Sequence, residues 1–365
     1  MRIWRTVGEN VDTGRPTTGA RMGWQKEGGD GYGLRMRTNH ELLRMHSQAQ
    51  QGRRCIAAES PRQARMLSRR YGAGDLMRVY RGMYAHAQFW RTLPPPVQIV
   101  YLARALAKSH PDWVFSGETA ACVRNLQIPW HALTHRVTIA CAAGPQKSDG
   151  PRLQRIRHPN MRAEIIDGIP VTPLVCTASD CVLTMEPCAA ITALVGCFKA
   201  GLSTRELLRE CAANGTDAVV TLLPHVNPAS ENGGEAYAHA VMTARYGFRK
   251  PQQQVPLTDP QTGHIYHADY YWVCDDGTVI VAELDGAQKY IDPQMTGSRS
   301  VHAVVADERE REKALERAGV HRIVRFTFDD VIHSERLHAK LHSAGVPTHF
   351  LGSTDINGYR VAIIG

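Results

Sequence analysis

The chain has no apolar run long enough to cross a membrane. A spanning helix needs about 20 consecutive apolar residues. The longest stretch, AAITALVGCF at 189–198, falls far short of that and reads as a core helix. A CxxC pair is also missing. The nine cysteines are odd in number and irregularly spaced, which argues against a zinc site and for reduced thiols in a cytoplasmic protein. The opening residues lack an apolar segment and a small-residue cleavage site, so no secretory signal is expected. Rich in glycine and mixed in charge, residues 1–38 are expected to form a poorly ordered tail.

Acidic residues are scarce in the front of the chain. Residues 1–160 hold 25 Lys and Arg against 10 Asp and Glu, while the remainder holds 18 against 25. A front half at +15 beside a back half at −7 points to a polyanionic partner, with DNA the leading candidate. The basic residues cluster, which a merely solubilising surface does not require.

What is present begins at residue 39. HELLRMHSQAQ (40–50) has helical spacing. SPRQARMLSRRYG (60–72) starts with Ser60 as N-cap and Pro61 at the first helical position. LMRVYRGMYAHA (76–87) is a short β-ribbon turning at Arg81-Gly82. Helix, helix, ribbon is the order of a winged helix-turn-helix, expected over 39–92. Its second helix carries Arg62, Arg65, Arg69 and Arg70, and its ribbon Arg78 and Arg81, the places where such a module meets phosphates. The competing reading is an ordinary small lobe with a basic surface.

PPP at 94–96 opens a mixed α+β middle domain, expected over 93–222. It contains a helix at 97–109, a strand-turn-helix at 113–126 with Ser116 as a cap, a strand at 135–141, a strand-turn-helix at 168–185 and two helices at 187–199 and 202–215. No catalytic constellation stands out there. Asp180 and the nearby threonines read as caps and turn groups.

From 228 to 340 the pattern changes to α, β, β, β, α, β, which suits a mixed sheet flanked by helices. A helix at 231–248 offers Glu231 or Glu235 as an acid. IYHADYYWV and TVIVAELD are strands joined by CDDGT. A three-residue loop, Asp275-Asp276-Gly277, with Gly277 left-handed, pairs residue 274 with 278 and sets Asp269 opposite Glu283. Asp269, Glu283 and Asp285 then share one face; Ala268, Tyr270, Trp272, Ile280, Ala282 and Leu284 make the other, a core face. Clustered carboxylates repel unless a cation sits among them, and oxygen-only ligands suit Mg or Mn. Asp269, Glu283 and Asp285 are the expected metal ligands, Glu235 is a further acid, and Lys289 is placed to stabilise charge on an attacked phosphate. Arg309 and Arg311, on the helix after the acids, are either phosphate contacts or an exposed charged face. A strand end with solvated acids, or carboxylates paired with Arg309, Arg311 or Arg325, is the alternative to a metal site. Residues 341–365 are read as a C-terminal extension.

Two resemblances follow from these residues. GDLMRVYRGMYA (74–85), VFSGETAACVRNLQIP (114–129) and GIPVTPLVCTASD (168–180) resemble the AbiEi family, the antitoxins of type IV toxin–antitoxin systems, with Cys176 standing where that pattern has arginine. This implies a DNA-binding winged helix and a regulatory role, with a cognate toxin as a candidate partner that the resemblance does not establish. SENGGE (230–235), Gln254, HADYYW (267–272), VAELDGAQKY (281–290), EREREKAL (308–315) and VRFTFDDV (324–331) resemble the very-short-patch-repair-like branch of the PD-(D/E)XK endonucleases. That implies a restriction-endonuclease-like α/β domain, with Asp269 and Glu283 as the metal-binding acids and Glu235 as the helical acid. Asp285 stands where the pattern has lysine, and Lys289 is the substitute. The expectation is an α/β (α+β overall) DNA-binding protein with a Mg- or Mn-dependent endonuclease-like domain, or a non-enzymatic antitoxin-like repressor on a degenerate nuclease fold.

Overall fold

The computed structural model describes residues 40–143, 145, 150–215, 217–285, 301–349, 354–356 and 359–361. The expected N-terminal tail and Lys289 lie outside them, as does most of the C-terminal extension beyond 349.

The first unit is α1 (His40–Gln51), β1 (Ile56–Ala57), α2 (Pro61–Gly72), β2 (Leu76–Tyr80) and β3 (Met83–His86). Ser60 caps α2 by accepting from the Gln63 N–H, with Pro61 in the first turn, as the sequence predicts. The strands form a small sheet in the order β1-β3-β2. Leu42, Met45, Met66, Leu67 and Tyr84 close a core between the helices and the ribbon. The apolar positions of α2 lie on that side, which leaves its arginine face outward.

The next unit runs through α3 (Ala87–Thr92), α4 (Pro95–Ser109), β4 (Val114–Phe115), α5 (Gly117–Val123), β5 (Val137–Cys141), β6 (Leu153–Arg157), β7 (Glu164–Ile166), β8 (Ile169–Val171), α6 (Leu174–Thr184), α7 (Pro187–Lys199), α8 (Thr204–Ala213) and α9 (Ala218–Leu222). Its five strands make a mixed sheet, order β6-β5-β4-β8-β7. The helix α7 is buried along nearly its whole length. It passes so close to the 126–127 segment that a Cβ on Gly196 would stand 2.9 Å from the Gln127 backbone nitrogen. Backbone cannot yield as a side chain does. Gly196→Ala is therefore expected to lower stability by about 1–3 kcal/mol, readable in urea unfolding.

The last unit has α10 (Gly233–Ala240), a π-helical turn (Val241–Arg245), β9 (Gln252–Thr258), β10 (Ile265–Val273), β11 (Val279–Asp285), α11 (Val301–Arg317), β12 (Arg322–Thr327), α12 (Phe328–Ile332) and α13 (Ser334–Ser343). The sheet order is β12-β11-β10-β9. β11 and β12 are parallel across the α11 crossover; the other pairs are antiparallel. Overall this is a mixed α/β architecture, and the α, β, β, β, α, β order matches the sequence pattern.

The hairpin register is the expected one. Tyr270 pairs with Ala282 and Val273 with Val279, Cys274 N–H bonds to the Thr278 carbonyl, and Gly277 has φ +82°. The core face differs in one respect. Tyr270, Trp272, Ile280 and Ala282 pack toward α7 and α10, but Ala268 belongs to a separate cluster with Val281, Leu315 and Val320. The alternation slips at Asp269, where regular pairing with β11 stops. One core joins α6 to α9 with α10 and the sheet of β10 to β12, crossing the boundary expected near 222–228.

Candidate functional site

The slip at Asp269 builds the site. Past Tyr270, the Leu284 N–H is met by the Asp269 carboxylate, Oδ2 at 2.9 Å. The acid, in the middle of β10, thereby takes the place of a backbone carbonyl in the ladder and is fixed beside the end of β11. On its other side Gln254 donates from Nε2 to Asp269 Oδ1 at 3.2 Å and to Glu235 Oε2 at 3.3 Å. Gln254 holds φ +56°, a strained backbone for a non-glycine residue and one that clusters at functional sites.

Glu235 sits in the first turn of α10, where Asn232 is the N-cap, accepting from the Glu235 N–H. Its carboxylate accepts from the Glu231 N–H at 2.7 Å and Asn232 Nδ2 at 2.6 Å. Tyr270 Oη donates to the Glu235 carbonyl at 2.8 Å, so the buried core face of the sheet anchors the helix that carries the acid. Glu283, the residue after the last β11 position paired with β10, lies near enough to Asp269 to feel its charge and is 6% exposed. Its Oε2 receives Arg311 at 2.6 Å, while its Oε1 is buried without a hydrogen-bond partner. Such an oxygen is costly unless something else meets it.

The electrostatics follow. Burial, and then the nearby Asp269 charge, push Glu235 and Glu283 each up to about 7. Burial also raises Asp269, against the Leu284 N–H and Gln254, which favour its ionised form. Acids raised together in one place are what a site awaiting positive charge has.

Asp285 lies elsewhere electrostatically. Its Oδ1 pairs with Arg325 at 3.0 Å, and Arg325 also meets Glu308 and Glu312. Arg309 is exposed, and Arg311 turns inward to Glu283 and to the His267 carbonyl at 3.1 Å. Of the expected acids, then, Glu235, Asp269 and Glu283 are brought together, and Asp285 is held by an arginine. The reach of Arg311 to Glu283 is one of the carboxylate–arginine pairings the sequence left open, and Arg325 fills another by meeting Asp285.

No group of three or more His, Cys, Asp and Glu among the described residues is arranged to hold a metal ion. Mg asks for less: it keeps several waters and is commonly bound by one or two carboxylates plus a substrate phosphate. Asp269 and Glu283, with the unpartnered buried Oε1, fit that demand.

The expected DNA-contacting residues divide similarly. Arg62 is 86% exposed along its side chain, 3.9 Å from Glu41. Arg65, Arg69, Arg78 and Arg81 are exposed, and the Arg78 guanidinium lies 5.9 Å from the Tyr71 ring centroid. Arg70 instead pairs with Asp75 at 2.7 Å, tying the end of α2 to the ribbon.

A second buried polar group corrects the reading of Ser116 and Asp180. Ser116 occupies the N-cap position of α5 without capping it; its Oγ donates to Asp180. Asp180, within α6, also holds His158 at 3.0 Å. The serine thus bonds to the acid rather than to the histidine, the wrong order for an activated nucleophile. All three are buried, and they tie α5, α6 and the end of β6 together. No helix in the described residues is long and apolar enough to cross a membrane. In comparisons with known proteins, no family model, no curated protein and no solved structure matches this chain.

Proposed function

We propose that this protein binds DNA through its basic first unit and hydrolyses DNA phosphodiester bonds at the Glu235–Asp269–Glu283 site with Mg or Mn. The observation that carries this reading is Glu283: a buried carboxylate beside a second acid, with one oxygen unpartnered. A protein that needed only stability would gain by losing it. The PD-(D/E)XK resemblance adds the reaction class.

Asp269 and Glu283 would hold the ion, which when bound polarises a phosphate and lowers the pKa of water. Asp269 is pre-set for this by the Leu284 N–H and Gln254. Glu235, near neutrality at about 7, can accept or release a proton at working pH. Lys289 is proposed to stabilise charge on the phosphate. The basic helix α2 and the ribbon would supply phosphate contacts. Replacing Arg62, Arg65 and Arg69 together by alanine is expected to weaken DNA binding and reduce the slope of log K against log salt by about 3. A fluorescence-anisotropy salt series checks this.

A second reading has its own support. Both Glu283 and Asp285 are met by arginines, Arg311 and Arg325, as in a nuclease fold kept only as scaffold. On that reading the chain is an AbiEi-like repressor with a toxin partner. It predicts DNA binding that is indifferent to metal and no cleavage. Thermal unfolding with and without Mg separates the two, since an ion bound only by the folded state raises the melting temperature.

A further inference from the structure

The Arg311 guanidinium stands on a carboxylate oxygen that a metal ion would use. It reaches from α11 to Glu283 Oε2 at 2.6 Å and to the His267 carbonyl at 3.1 Å. Its carbon lies 5.7 Å from the Tyr266 ring centroid. Its Nε is buried without a hydrogen-bond partner, so the head is not fully satisfied where it sits. The stem approaches Tyr266, and the side chain remains about one-third exposed, which leaves the head a path toward solvent.

We infer that Arg311 is a gate: its guanidinium and a divalent cation are mutually exclusive partners of Glu283, and the arginine leaves Glu283 when the ion arrives. This deepens the metal-dependent reading above and rests on it. Occupancy decides the exclusion. The guanidinium already sits on Glu283 Oε2, and a dication on the same carboxylate would set like charges a few ångströms apart in a buried place, where repulsion is strong. The released guanidinium then faces the open side, where a phosphate is the natural partner for its planar donor fork. Arg325 cannot play this part for Glu283, because Asp285, Glu308 and Glu312 already hold it.

The test is calorimetric titration of the full chain with MgCl2 at pH 8.5, where Glu283 is ionised. Four proteins are compared: wild type, Arg311→Met, Arg311→Lys and Glu283→Ala. Arg311→Met keeps a stem against Tyr266 and removes the competitor. It is expected to bind Mg at least about tenfold more tightly than wild type, on the scale of one charge-assisted hydrogen bond. Arg311→Lys, which keeps the charge on a shorter side chain without the planar guanidinium, should fall between them, and it keeps the test decisive should the methionine variant not fold. Glu283→Ala should lose binding. Equal Mg affinity in wild type and the Arg311 variants would overturn the gate while leaving the metal reading intact. Absence of binding in wild type and Arg311 variants alike, into the millimolar range, would overturn both.

Discussion

Glu283→Gln is expected to stabilise the folded protein at pH 8 by about 3 kcal/mol, and at pH 5 by less than about 1 kcal/mol. The Glu283 carboxyl is raised in the fold to about 7 from an ordinary 4.5. A raised acid costs stability when it is ionised. The cost is complete above the folded value, shrinks as pH falls through 7, and is gone below 4.5. Glutamine keeps the shape and mimics the protonated form, so the variant removes a penalty that exists only at high pH. Urea unfolding at the two pH values measures it. A variant less stable than wild type at pH 8 would mean that Arg311 over-compensates the charge. The pair would then be a structural one, as the repressor reading holds.

The second large effect has the opposite sign. His239 is 1% exposed, and both its ring nitrogens are buried without partners. Burial, then the charge of Lys250, lowers it to about 3. His225, bonded through Nδ1 to Thr243 at 3.0 Å, is lowered to about 4 for the same leading reasons. Both are neutral in the fold. The unfolded chain takes up a proton at each as pH falls below about 6.5, so stability is lost from there downward until the folded values are reached. At pH 5 each costs about 2 kcal/mol. His239→Leu is therefore expected to gain about 2 kcal/mol over wild type on moving from pH 8 to pH 5, whatever its packing does at pH 8. A difference that does not change between the two pH values would show that His239 finds a proton or a partner inside the fold.

These shifts oppose one another. Between pH 7 and 5, Glu235 and Glu283 each gain about 2 kcal/mol, and His225 and His239 each lose about as much. The four groups together are nearly silent, which makes single variants more informative than the pH profile of the wild type. Two of the four share a helix: Glu235 and His239 are one helical turn apart on α10, with the π-helical turn carrying Thr243, the partner of His225, just beyond.

The sheet around the acids was legible because local rules decide it. Gly277 takes the left-handed conformation that a three-residue loop closing on a G1 bulge asks of its last residue, and that loop sets which residues face each other across β10 and β11. The approach of Asp269 and Glu283 followed from that turn, since the pairing it sets runs up to the neighbouring Tyr270 and Ala282. The slip at Asp269 did not, because it depends on Gln254 and the Leu284 N–H, which arrive from two other strands. Nor could the pattern tell that Asp285 and Glu283 answer to different arginines. Alternation assigns a face; the partner is chosen by how α11 and β12 lie over it. Ser116 misled for a similar reason: serine before a helix reads as a cap, yet a buried carboxylate on α6 competes successfully for its hydroxyl. The basic face of α2 was plain from composition, whereas the inward turn of Arg70 depends on Asp75 five residues away.

The most direct test of the central claim is nicking of supercoiled plasmid by the purified protein with Mg, Mn or EDTA, beside Glu283→Ala. Cleavage that needs the metal and disappears in the variant, with DNA binding retained, is the predicted result. Intact plasmid with every metal, while the protein still binds DNA in a salt-dependent way, would contradict the hydrolytic account and leave a DNA-binding regulator.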